Sequence, residues 1–211
     1  MKLHTVFIAY NRLELTQIAV SSYLETVSRP FTAVVFDNAS TDGTQEWLLE
    51  HCPIDFILSE INRYPGFACN TGWETAPGDA DFLHRADNDF AFLPGWCDEV
   101  EERFDADPKL AQLGMRTDEE EMFAEWNVGG NCVLSREAWD SGLRYDERPW
   151  TEFPEGYTED SFFTPEVVKA GFNWGRVKVP CIRPTSREDP DDPYYRGTWA
   201  DRGINDFERP E

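Results

Sequence analysis

Short apolar runs alternate with segments of helical spacing through the first half of the chain. The first such segment lies between Asn11, a predicted helix cap, and Pro30, where the helix is expected to close. Strands that alternate with helices indicate βαβ units, so we predict an α/β fold with a Rossmann-like, mainly parallel sheet flanked by helices. The predicted strands are residues 3–9, 31–36, 54–58, 81–86 and 110–115, and the further predicted helices are residues 44–51, 67–75 and 94–104.

The second half of the chain is less regular. Ser135 is predicted to cap a short helix, and Gly171 to end a longer one. The remaining expected elements are strands at 127–134 and 174–179 and a helix at 160–170.

The last segment of the chain is acidic and rich in proline, without apolar periodicity. Such composition is typical of an extended or partly ordered tail. We predict a single domain over residues 1–186, followed by an acidic C-terminal tail over residues 187–211.

Composition narrows the class of protein. A net charge of −22 disfavours nucleic acid as a partner, because phosphate backbones are bound by clustered Lys and Arg. The chain has no apolar run of the roughly 18 residues that a membrane span needs and no signal-peptide pattern at its start, so we predict a cytoplasmic protein without membrane insertion. Five cysteines without a C-x-x-C pair indicate free thiols rather than a disulfide framework or a zinc site.

Acidic residues follow two of the predicted strands directly. Asp37 comes after the second strand, and Asp87 and Asp89 come after the fourth. Because the carboxyl ends of parallel strands lie along one rim, these carboxylates are expected to converge there. Alternate residues of an extended segment point to opposite sides, so one carboxylate of the Asp87-Asn88-Asp89 motif can face a nucleotide while the other faces a cation. Such oxygens, with diphosphate oxygens and water, suit Mn2+ or Mg2+.

Several segments in a fixed order resemble the family 2 glycosyltransferases, the large group with the GT-A fold. The resemblance covers about residues 4–182, and any one segment is a weak signal whereas their ordered combination is specific. The segments are TVFIAYNR, VVFDNASTDGT, NRYPGFACNTGW, the strand that leads to Asp87-Asn88-Asp89, NVGGNCVLSRE, and Thr158-Glu159-Asp160 before a helix.

The resemblance implies a role for each matching position. Asp37 is expected to accept a hydrogen bond from the base, Asp87 to contact ribose or sugar hydroxyls, and Asp89 to hold the cation, with Asp87 as a second metal-side carboxylate. Asp160 is expected to be the general base, supported by Glu159. The other positions expected to line the donor pocket are Ala9, Tyr10, Arg12, Asn38, Asn62, Gly66, Asn70 and Asn88.

The implied reaction is the transfer of a sugar from a nucleoside diphosphate sugar, UDP-sugar favoured, to an acceptor hydroxyl. A divalent cation stabilises the charge that builds on the leaving diphosphate, and a carboxylate removes the proton of the acceptor hydroxyl. One base opposite the leaving group predicts inversion at the anomeric carbon, since double displacement would need a second, nucleophilic carboxylate. A saccharide, a protein or a small molecule is the expected acceptor, selected by the loops at 118–126 and 147–158.

One departure from the family pattern concerns the metal. Many members carry a metal-binding histidine after the strand predicted here at 174–179. In this chain the stretch 180–186 reads PCIRPTS, and all three histidines precede residue 85. Either Asp89 and the donor hold the cation largely alone, or an acid of the tail such as Glu188 or Asp189 contributes.

Other interpretations stay open at this point. Asp37 and Asp42 also suit turns and caps, and Glu159-Asp160 would favour a helix start in any protein. A nucleotidyltransferase would share the architecture but lacks here a glycine-rich loop after the first strand. A non-catalytic module that binds a nucleotide sugar is the remaining alternative, and nothing in the sequence predicts the oligomeric state.

Overall fold

The computed structural model describes residues 1–117, 127–154 and 157–185. The elements of the first half are β1 (Leu3–Ala9), α1 (Leu13–Thr26), β2 (Phe31–Asp37), α2 (Thr44–His51), β3 (Asp55–Leu58), α3 (Tyr64–Glu74), β4 (Phe82–Asp87), β5 (Phe90–Phe92) and α4 (Trp96–Ala106). Those of the second half are β6 (Leu110–Gly114), β7 (Cys132–Ser135), α5 (Arg136–Asp140), a 3-10 turn (Trp150–Glu152), α6 (Glu159–Lys169), β8 (Asn173–Arg176) and β9 (Ile182–Pro184).

Seven strands form one sheet in the order β3-β2-β1-β4-β7-β6-β8. All neighbouring pairs are parallel except those of β7, which runs antiparallel to β4 and to β6. A separate antiparallel ribbon joins β5 to β9. The predicted α/β architecture with a mainly parallel sheet is confirmed.

Both faces of the sheet are covered by apolar clusters. Phe7 on β1 belongs to the cluster that contains Tyr23 and Trp96, whereas its neighbours Val6 and Ile8 belong to the opposite cluster. A strand buried on both faces carries mainly apolar residues on both sides, which explains why the β1 run shows no regular apolar–polar alternation. On one face α3 packs so closely that a Cβ at Gly72 would lie 2.3 Å from Val6 Cγ2.

The structure corrects several element boundaries. The strand predicted at 127–134 begins only at Cys132. Gly129 before it has a φ of +73°, and Asn131 accepts hydrogen bonds from Asp87 N through Oδ1 and from Met115 N through its backbone oxygen. The strand predicted at 174–179 is Asn173–Arg176. The short strands β5 and β9 were not predicted at all.

Helix α3 begins at Tyr64 and not at Phe67, three residues before the predicted start. Pro65 stands in its first turn, a position where the missing backbone N–H costs nothing. The predicted Ser135 cap is confirmed, since its Oγ accepts a hydrogen bond from Ala138 N. Gly171, with a φ of +91°, follows the end of α6 as predicted.

Two predicted features lie wholly or mostly outside the described residues. These are the acidic loop at 118–126 and the tail over 187–211, which contains Glu188 and Asp189. Within the described residues, no helix is both long and apolar enough to cross a bilayer.

Candidate active site

Three strand ends meet at one edge of the sheet. In the parallel register Ala9 on β1 pairs with Asp37 on β2, and Ile8 on β1 pairs with Asp87 on β4. The structure therefore brings Asp37 and Asp87 to opposite sides of the same strand end. Tyr10, the residue after β1, is exposed on this rim.

The loop after β1 is fastened to the loop after β2. Asn11 N donates to Ser40 Oγ at 2.7 Å, and Asn11 Oδ1 accepts from Thr41 N at 2.9 Å. The prediction that Asn11 caps α1 is wrong, because its side chain is used in this contact and Arg12 holds the N-cap position. The first turn of α1 instead receives a cap from outside the helix, since Leu13 N donates to Asp42 Oδ2 at 2.8 Å.

Asp37 is fully buried, and only one of its two carboxylate oxygens has hydrogen-bond partners among the described residues. Its Oδ1 accepts hydrogen bonds from Ser40 N at 3.0 Å and from Gln45 Nε2 at 2.7 Å. Its Oδ2 is buried without a hydrogen-bond partner among the residues described. An unpaired buried carboxylate oxygen is costly, so this atom is a ready acceptor for an N–H group of a ligand.

Asp87 is held from two directions. Arg85 Nε donates to Asp87 Oδ1 at 3.2 Å, and Asn131 Nδ2 lies 3.5 Å from Asp87 Oδ2. The backbone of Gly130 packs against this carboxylate, since a Cβ there would lie 2.2 Å from Asp87 Oδ2. The missing side chain of Gly130 thus makes room for Asp87.

The side chain of Asn88 does not face the rim. Its Nδ2 donates to Thr16 Oγ1 at 2.9 Å and to Asn11 O at 3.2 Å, and the residue is buried. In this structure Asn88 therefore holds the loop after β1 through its contact with Asn11.

Asp89 forms an ion pair with Arg12 at the rim. Arg12 Nη1 donates to Asp89 Oδ2 at 3.2 Å, and the side chains are 16% and 21% exposed. Burial, followed by the nearby Asp87 carboxylate, raises the pKa of Asp89 to about 6, although Arg12 opposes the shift. A cation close to both carboxylates would favour their charged forms. Thr185 N donates to Asp89 O at 2.8 Å, so the chain after β9 passes directly beside this motif.

A second arginine connects the rim to α6. Arg85 on β4 lies 2.9 Å from Glu159 Oε1 through its Nη2 atom, and both side chains are buried. Trp150 Nε1 donates to Glu159 Oε2 at 2.8 Å. Burial raises the pKa of Glu159, with Arg85 acting in the opposite direction. Sequence reasoning missed Arg85, although a charged residue inside an apolar strand run was a visible signal.

Asp160 stands at the start of α6 beside Glu159. Thr158 Oγ1 donates to Asp160 Oδ1, and Ser161 Oγ lies 3.5 Å from the same oxygen. Thr158 and Ser161 also form a capping box that fixes this first turn. Asp160 is only half-buried, so its carboxylate is within reach of a ligand from solvent.

Four further predicted positions make contacts within the protein. Asn38 Oδ1 accepts from Arg63 N at 3.0 Å, and Asn62 Oδ1 accepts from Tyr64 N at 2.9 Å. Asn70 Nδ2 donates to the backbone oxygen of Tyr145 at 2.9 Å. At Gly66 a Cβ would lie 2.1 Å from the backbone oxygen of Asp146, so this position permits close packing. These residues shape the loops around the rim.

Asp87 and Asp89 are the candidate ligands of a cation. No group of three or more His, Cys, Asp or Glu side chains suited to a metal occurs in the three described segments. Two carboxylates at a strand end nevertheless suit a cation that takes its other oxygens from a diphosphate and water. Glu188 and Asp189, the other predicted contributors, lie outside the described residues.

The sheet order and the acidic rim define a protein of the GT-A fold, and solved structures share it. The mannosyltransferase PcManGT from Pyrobaculum calidifontis, in complex with GDP-Man and Mn2+, matches with a TM-score of 0.69 at 17% identity, over 99% of this chain and 65% of that one. S. aureus TarS 1-349 matches with a TM-score of 0.68 at 16% identity, over 88% and 60%. The same protein in complex with UDP-GlcNAc matches with a TM-score of 0.68 at 16% identity, over 90% and 60%.

The chain belongs to glycosyl transferase family 2, whose pattern matches residues 5–179. This family supports a glycosyltransferase, and the structural neighbours show the fold. The chain spans about 60 to 65% of the length of those neighbours. A search of curated proteins found no match.

Proposed function

We propose that this chain transfers a sugar from a nucleoside diphosphate sugar, with a UDP-sugar favoured, to an acceptor hydroxyl with inversion at the anomeric carbon. The observation that carries the proposal is the convergence on one rim of the unpartnered Asp37 oxygen and the carboxylates of Asp87 and Asp89. Asp160 is joined to that rim through Glu159 and Arg85.

The donor base is assigned to the side of Asp37. Its buried Oδ2 needs an N–H donor, and the uracil ring offers one. Among the structural neighbours, TarS 1-349 is seen with UDP and with UDP-GlcNAc, and PcManGT with GDP-Man. These ligands support a nucleoside diphosphate sugar here.

The diphosphate is assigned to the side of Asp89. Asp89 and Asp87 would hold Mn2+ or Mg2+, which when bound neutralises the charge that develops on the leaving diphosphate. The PcManGT structure, in complex with GDP-Man and Mn2+, supports this assignment. Arg12, already paired with Asp89, adds a positive charge at the same place.

Asp160 is proposed as the general base. An acceptor hydroxyl is a poor nucleophile near neutral pH, and a carboxylate within hydrogen-bond reach removes its proton as attack proceeds. Thr158 and Ser161 orient the Asp160 carboxylate, which leaves its Oδ2 for the acceptor. A saccharide, a protein or a small molecule carries the hydroxyl.

Donor binding and turnover provide the first test. Thermal shifts with UDP-, GDP-, dTDP- and CDP-sugars, with and without Mn2+, are expected to single out a UDP-sugar in the presence of metal. Release of UDP from that donor then measures turnover. Binding without any turnover on an acceptor panel would support a non-catalytic binding module and overturn the proposal.

Three variants then separate the proposed roles. Asp160→Asn is expected to lower turnover by about 10²- to 10⁴-fold while UDP and Mn2+ still bind. Asp89→Asn is expected to abolish the metal-dependent part of UDP binding. Asp105→Asn, which removes an exposed carboxylate of α4, is the matched control and should change neither. Wild-type turnover by Asp160→Asn would refute its role as the base.

A further inference from the structure

Arg85 is a buried cation that touches both sides of the candidate site. It is 3% exposed and lies on β4, two residues before Asp87. One guanidinium contacts Asp87 Oδ1 at 3.2 Å through Nε and Glu159 Oε1 at 2.9 Å through Nη2. The planar fork of an arginine can join two carboxylates in fixed directions, which a lysine cannot do.

The contacts connect elements that are distant in sequence. Asp87 ends a strand of the central sheet, whereas Glu159 is the first residue of α6 and directly precedes Asp160. Glu159 is 2% exposed and is further held by Trp150 Nε1. Both of its carboxylate oxygens already have partners in Arg85 and Trp150, so this carboxylate serves as an anchor for the start of α6.

The surroundings of Arg85 leave it little freedom. Its Cζ lies 5.0 Å from the centre of the Tyr145 ring, and a Cβ at Gly130 would lie 3.0 Å from its Nη2. Its Nη1 is buried and has no hydrogen-bond partner within the described segments. Well-packed apolar residues in place of a buried ion pair are often equally stable, so stability alone is a weak reason for this arrangement.

We infer that Arg85 is a positioning residue that holds Asp87, on the donor side, and the start of α6, with Asp160, in one rigid arrangement. The inference rests on the proposed function, because only in that reaction does Asp87 bind the sugar donor and Asp160 act as the general base. A misplacement of about 1 Å between reacting groups can lower a rate by about 10²-fold, so a loose bridge should slow turnover more than it weakens binding.

Two variants test this role without leaving a lone buried charge. Arg85→Lys keeps the positive charge but loses the fork. Arg85→Met combined with Glu159→Gln removes both charges and keeps an acceptor for Trp150. Arg136→Lys, on an exposed ion pair of α5, is the matched control.

Both Arg85 variants are expected to stay folded and to bind UDP with Mn2+ within about threefold of the wild type, but to release UDP from the donor at least about 30-fold more slowly. A second readout is independent of turnover. The indole N–H resonance of Trp150, identified by its loss in Trp150→Phe, is expected to shift in Arg85→Lys, where Glu159 is unchanged and still accepts that hydrogen bond.

The opposite results are distinguishable. Wild-type UDP release in both variants, with an unmoved Trp150 resonance in Arg85→Lys, would overturn the positioning role while the proposed function stands. Parallel losses of melting temperature, binding and turnover would show that Arg85 is structural only. A wild-type protein that neither binds UDP with Mn2+ nor releases it from any donor would overturn the proposed function and this role together.

Discussion

Two arginines form ion pairs with carboxylates in the candidate site, and the two pairs differ in their exposure to solvent. The pair of Arg12 and Asp89 lies at the rim, with side chains 16% and 21% exposed. The pair of Arg85 and Glu159 lies beneath it, with side chains 4% and 2% exposed. Both are close contacts, at 3.2 Å and 2.9 Å, so distance alone does not separate them.

The difference in exposure assigns different tasks to the two pairs. At the rim water and ions reach the carboxylate, and Asp89 can exchange Arg12 for another cation at low cost. Beneath the rim neither charge can leave its partner without a large desolvation penalty. The first pair is suited to binding, and the second to holding the site in place.

The largest expected contrast is in stability. Glu159→Ala leaves Arg85 with one of its two carboxylates and removes the acceptor of Trp150, so we expect a loss of about 3–5 kcal/mol in the free energy of unfolding. Asp89→Ala should change it by less than about 1 kcal/mol. Urea denaturation measures both values. Equal losses in the two variants would remove the distinction between the pairs.

The carboxylates at the rim follow from features that a sequence displays, whereas the buried pair of Arg85 and Glu159 does not. Asp37, Asp87 and Asp89 come directly after apolar runs, and parallel strands bring such ends together. The partner of Arg85 lies 74 positions away on a helix whose docking no local pattern specifies. A positive charge inside a buried strand indicates that a negatively charged partner exists, but it does not identify that partner.

Asparagines illustrate a second limit of sequence reasoning. The assignment of Asn70 and Asn88 to the donor pocket stays a prediction. The sequence did not show that their amides hold the backbone of Tyr145 and the loop at Asn11. An amide side chain can donate to or accept from any polar group that the tertiary fold places beside it, so its partner cannot be predicted from the sequence alone. The strands β5 and β9, three residues each, are likewise too short for periodicity to reveal.

Gly130 offers a way to disturb the buried pair through packing alone. A methyl group there would lie 2.2 Å from Asp87 Oδ2 and 3.0 Å from Arg85 Nη2, so Gly130→Ala must displace one of them. We expect a loss of about 1–3 kcal/mol in stability and weaker binding of UDP with Mn2+. Gly78→Ala is the control, because no atom lies within 4 Å of its added Cβ. Wild-type binding by Gly130→Ala would show that the carboxylate has room to move.

The pH dependence of stability contributed by Asp89 is the smallest expected effect. It tests most directly whether this carboxylate can exchange Arg12 for another cation. The pKa of Asp89 is raised from 3.8 to about 6 in the folded protein, so between these values the folded state binds the proton more tightly than the unfolded state. Stability contributed by Asp89 is therefore present below about pH 4 and is lost as the pH rises to about 6.

Asp89→Asn lacks this titration and should match the wild type near pH 4 but exceed it near pH 7.5. A shift of this size corresponds to about 3 kcal/mol, and solvent screening at a partly exposed side chain reduces the expectation to about 1 kcal/mol. Unfolding free energies of the two proteins across this range measure the difference. Mn2+ at pH 7.5 should stabilise the wild type and not the variant, because only a free carboxylate offers the cation its ligand. A difference that stays constant with pH would mean that Arg12 already neutralises Asp89 fully, and the rim pair would then be as fixed as the buried one.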